Sequence, residues 1–65
     1  MTELPLAALE RLLRKAGAGR VSPKACEALR DVLEDRAIEI GQKANLLAQH
    51  AGRKTVTGED VRLAK

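Results

Sequence analysis

Leu6, Leu9, Leu12, Leu13 and Ala16 recur at spacings of three and four, which predicts an apolar stripe along a first helix over about residues 5–16. Arg11, Arg14 and Lys15 fall on the opposite face by the same rule. Pro5 suits the first turn, where its missing N–H costs nothing, and Glu3 favours the positive end of the helix dipole. Gly17 is the expected terminator. After a short connector, in which Val21 is available for a brief extended pairing, Ser22-Pro23 opens a second helix as cap and first-turn proline. Ala25, Leu29, Val32, Leu33, Ala37, Ile40, Ala44, Leu47 and Ala48 hold helical spacing as far as His50, and Cys26, Ile38 and Leu46 widen the stripe. Gly52 is the natural residue beyond its end. Thr57 caps a last helix over about 58–64, with Asp60 in the place usually held by Glu or Gln, and Val61, Leu63 and Ala64 give it apolar contacts.

The second helix is too long for the chain. From Pro23 to His50 only Gly41 interrupts a helical reading, and at 1.5 Å per residue the segment is ~42 Å long. A compact globule of 65 residues is only about 28 Å across. Its apolar surface is also broader than one small neighbouring helix covers, and the simplest cover is a second copy of the chain. Gly41 and the alanines around it either let two such helices cross closely or are merely tolerated.

Composition sharpens this expectation. There is no Phe, Tyr or Trp, so the core must be built from small and medium aliphatic residues, which favours oligomerisation in so short a chain. A single cysteine, Cys26, excludes an internal disulfide and a cysteine-cluster metal site, and reads as a buried thiol. No apolar run approaches a membrane span, and no signal-peptide pattern opens the chain. Twelve Lys and Arg against nine Asp and Glu give a net charge of +3, a mild bias toward an anionic partner.

Short, long and short helices joined by tight loops form the pattern of the histone fold. The residues Glu3-Leu4-Pro5-Leu6-Ala7, Arg11, Ala16-Gly17-Ala18, Arg20-Val21-Ser22, His50-Ala51-Gly52-Arg53-Lys54-Thr55-Val56 and Glu59-Asp60-Val61 resemble an archaeal histone, without a gap, over essentially the whole chain. The resemblance implies a single all-α histone-fold domain over residues 1–65 that clasps a second copy head to tail as an intertwined homodimer. It implies that Arg11 and Arg14 face DNA at the centre of the dimer, and Arg20, Lys54 and Thr55 at each end. Arg20 would enter the minor groove beside Thr55 of the other chain, responding to groove width rather than base identity. Arg53 and Asp60 would form a bracing ion pair within the chain. Leu47, His50, Asp60 and Leu63 would join dimers through a four-helix bundle, and Gly17 would let turns of a filament stack. Each has a plainer reading: solvated charges for the cations, a dipole-complementing group for His50, and a helix terminator for Gly17.

The expected activity is therefore sequence-nonspecific binding, bending and compaction of double-stranded DNA by dimers that multimerise along it. Paralogous histones are possible co-partners; no membrane, cofactor or metal is implied. The expected location is cytoplasmic, on the chromosome. The competing reading is a heterodimerisation module of a transcription or repair complex with little DNA affinity alone, against which Arg20, Lys54 and Thr55 argue together. An enzyme is disfavoured, because His50 has no nucleophile or metal cluster near it in the motifs. The sequence departs from the family pattern at Gly19, where an acid often sits, at Thr57, where lysine is common, and in stopping at Lys65 where many members continue with basic residues. The implied binding mode is the family's, with fewer cations to drive it.

Overall fold

A computed structural model describes residues 3–65, so the first two positions of the expected 1–65 domain lie outside the described residues. Three α-helices follow one another: α1 (Leu6–Lys15), α2 (Pro23–His50) and α3 (Gly58–Ala64). No strand occurs among the described residues, so the all-helical class expected from the patterning is the class adopted. Two compact units divide the chain, Met1–Asp35 and Arg36–Lys65, and α2 contributes to both.

In the first unit, α1 starts one residue later than Pro5 suggested. Pro5 is extended (φ −68°, ψ 132°) and takes the capping position, where its carbonyl accepts the Leu9 N–H. At the other end Gly17 adopts φ 109°, a left-handed conformation that favours glycine. Gly17 N–H then reaches the Arg14 carbonyl and Ala18 N–H that of Leu13, a complete Schellman closure that satisfies two terminal carbonyls. The Ser22 hydroxyl accepts the Ala25 N–H at 3.1 Å, capping α2 ahead of Pro23. Leu9 and Cys26 are buried, with Leu13, Val21, Leu29 and Leu33 half-buried. Leu6 and Leu12 of the α1 stripe are exposed, Leu12 to 51%.

A buried carboxylate adds a contact that patterning does not predict. Glu34 Oε2 accepts the backbone N–H of Glu3 and of Leu4, the latter at 2.9 Å, tying the segment before α1 to α2. Glu3 thus contributes a main-chain hydrogen bond, and the first turn of α1 itself holds no acid.

The second unit is built on alanine. Ala44 and Ala48 of α2 are fully buried and Ala64 of α3 nearly so. Side chains this small let helix backbones approach closely. Gly52, at φ 74°, repeats the Schellman closure, with Gly52 N–H on Gln49 and Arg53 N–H on Ala48, both at 2.9 Å. Thr57 and Asp60 form a reciprocal capping box at the start of α3: the Thr57 hydroxyl accepts the Asp60 N–H, and Asp60 Oδ2 accepts the Thr57 N–H.

Across the described residues, ten large apolar side chains are exposed whereas Leu9 is the only large aliphatic one buried. Val32 reaches 64% exposure and Leu63 68%. An imbalance of that size is the mark of surface meant for a partner.

Candidate nucleic-acid interface

The candidate cations divide by unit. Arg11 and Arg14 stand exposed on α1, where with Lys15 they surround a shallow concavity floored by Ala8 and Leu12. Arg14 lies 3.3 Å from Glu10 one turn earlier. Both side chains are about half exposed, so the pair is worth no more than ~0.5 kcal/mol and yields readily to a stronger anion. Arg11 makes no ion pair among the described residues. Arg20 is exposed in the connector between α1 and α2, also without an ion-pair partner there.

In the second unit the connector between α2 and α3 is braced from within. Arg53 grips Asp60 in a fork, Nη1 on Oδ2 and Nη2 on Oδ1, each at 2.9 Å. The same Nη1 also donates to the Thr55 carbonyl at 2.9 Å. Asp60 in turn caps α3, so a continuous chain of hydrogen bonds runs from the helix start through Arg53 to the loop main chain. Lys54 and Thr55 are thereby presented from a fixed backbone, exposed, and Lys54 has no ion-pair partner among the described residues. The guanidinium–carboxylate hydrogen bonds hold the Asp60 carboxyl well below the usual carboxylate range; the Thr57 N–H reinforces them and burial opposes them. Arg53 is shifted up by the same hydrogen bonds.

The four residues expected to join dimers separate into two environments. Leu47, His50 and Leu63 line one groove, together with Lys43, Leu46, Ala64 and Lys65. Asp60 does not line it. Its side chain is only 5% exposed, and three of its acceptor positions are already taken by Arg53 and Thr57. One further acceptor position on Oδ1 is all it retains for another chain. Gly17 is exposed, with open space where a Cβ would stand.

Glu34 is a positioning residue that hydrophobic patterning does not reveal. Its neighbours Leu33 and Ala37 belong to the apolar stripe, yet an acid at that edge reads as solvated until its main-chain partners some thirty positions earlier are seen. Cys26 is a buried free thiol. No group of acidic, histidine or cysteine side chains suited to a metal ion occurs among the described residues, and no helix among them is long and apolar enough to cross a membrane.

The family model described as histone-like transcription factor (CBF/NF-Y) and archaeal histone matches residues 2–64. The chain is 62% identical over 64 residues to one of the subunits of archaeal histone HAN1 from Thermococcus zilligii, covering 98% of this chain and 96% of that one. To probable archaeal histone 3 of Methanocaldococcus jannaschii it is 52% identical over the same length, with the same coverage.

Proposed function

This chain belongs to the family of histone-like transcription factors (CBF/NF-Y) and archaeal histones, a DNA-binding structural family rather than an enzymatic one, and we propose that it packages DNA as a sequence-nonspecific homodimer. Two chains cross through their α2 helices and cover each other's exposed apolar side chains. Arg11 and Arg14 then form the central contact patch, while Arg20 of one chain stands beside Lys54 and Thr55 of the other. Phosphate neutralisation supplies the attraction and offsets the bending of a 30-bp site, which costs ~1–6 kcal/mol. Side-chain contacts of this kind read groove shape, so flexible pyrimidine–purine steps facing inward are mildly preferred. Dimers associate along the duplex through Leu47, His50, Asp60 and Leu63, and Gly17 leaves room for successive turns to stack.

The observation that carries this reading is the state of the cations. Arg11, Arg20 and Lys54 are exposed without ion-pair partners among the described residues, and the acid nearest the second connector is absorbed by Arg53. They are available to phosphate. Four contacts per chain give ~8 per dimer, hence a slope of roughly −7 for log affinity against log salt. Fluorescence anisotropy of a labelled duplex measures it, and a slope shallower than about −3 rejects this set of contacts.

A further inference from the structure

The groove of the second unit bears charge of only one sign. Its floor is Leu46, Leu47, Leu63 and Ala64; its charged or titratable lining is Lys43, His50 and Lys65. Glu39 lies 3.8 Å from Lys43, but it is already engaged at 2.9 Å by Arg36, so Lys43 keeps most of its charge. Asp60 is withheld by Arg53. The imbalance extends through the unit: residues 36–65 hold six Lys and Arg against three Asp and Glu, whereas residues 1–35 hold six of each. All of the net charge of +3 lies in the second unit.

Contact between identical faces is isologous, so each face meets its own copy about a two-fold axis. Whatever the register, every pairing of charges lining this groove with those of an identical groove is cation against cation. Exposed leucines draw two such ends together while the rim opposes them, and like-charge juxtaposition is how interfaces reject wrong partners.

We propose that this groove is tuned to receive the acid-bearing end of a different histone-fold chain in preference to a copy of itself. The partner offers leucine-sized apolar side chains to the floor and Asp or Glu to Lys43 and Lys65. This rests on the end-to-end association proposed above and specifies its partner; like ends meet only where a shared duplex holds them together. The apolar floor, which offers nothing to phosphate, argues against DNA as the occupant.

The test is a mixing experiment on the full chain without DNA, read by sedimentation velocity. The double variant Lys43→Glu, Lys65→Glu supplies an acidic groove, with circular dichroism to check its fold and Lys65→Glu alone as the milder second variant. At low salt the equimolar mixture with wild type should associate about tenfold more tightly than either protein alone. Raising the salt should close that gap and strengthen wild-type self-association. Wild type alone associating as tightly as the mixture at low salt overturns the proposal. So does a double variant whose single-dimer DNA salt slope is shallower by about 3 to 4, since the lysines would then be phosphate contacts. A monomer at the dilute limit would reject the homodimer instead, and the mixing result would still read the groove, because all its lining comes from one chain.

Discussion

Asp60 serves three groups at once: it caps α3, receives both ends of the Arg53 fork and, through Arg53, holds the Thr55 carbonyl. This arrangement gives the protein an acid-sensitive joint. The carboxyl's folded pKa lies below its unfolded value of about 3.9, so its contribution to stability is complete above that value and is lost as pH falls toward the folded one. Asp60→Asn should therefore melt lower than wild type at neutral pH, with the difference shrinking as the solution is acidified below pH ~4. Thermal melts followed by circular dichroism across that range measure it; a difference independent of pH would show that the fork contributes nothing through its charge. The sequence reveals the pairing of Arg53 with Asp60 only through family likeness. It does not reveal that capping and pairing together leave the carboxylate almost no capacity for another chain, because that depends on counting acceptors in three dimensions.

At the scale of elements, the helices are legible because their ends are spelled out in residues with few alternatives. Ser22-Pro23 and Thr57 announce starts through side-chain oxygens and a fixed φ, and Gly17 and Gly52 announce stops through backbone angles that other residues resist. Both glycines have open space around the missing Cβ, so the penalty of replacing them is conformational and not steric. Gly52→Ala should cost ~1–2 kcal/mol in chemical denaturation, and Gly17→Ala at least as much, because φ 109° lies further from the left-handed minimum. A neutral Gly52→Ala would mean that the end of α2 can refold without its closure. Less legible is which apolar positions the chain buries for itself. Leu12, Val32 and Leu63 share helical spacing with Leu9 and Ala48, and periodicity cannot distinguish a side chain covered by its own chain from one awaiting another.

At the scale of the whole molecule, that surplus of uncovered aliphatic side chains dominates, and sequence length alone anticipates it through a helix longer than the chain needs. Sedimentation equilibrium in dilute, moderate-salt buffer should find dimers, with melting temperature rising with protein concentration. A folded, concentration-independent monomer would remove the basis for aligning cations from two chains. The Glu34 tether is invisible in the sequence because its ligands are main-chain amides, which carry no residue signature. That indifference has a practical use. A carboxylate that grips amides tolerates almost any substitution at positions 3 and 4 except proline, so Leu4→Pro should let the leading segment exchange amide deuterium faster while conservative replacements there stay silent. A fluorophore attached just ahead of the tether would depart from a fixed anchorage on the protein surface, which makes that end a convenient fiducial for measuring distances within assembled filaments.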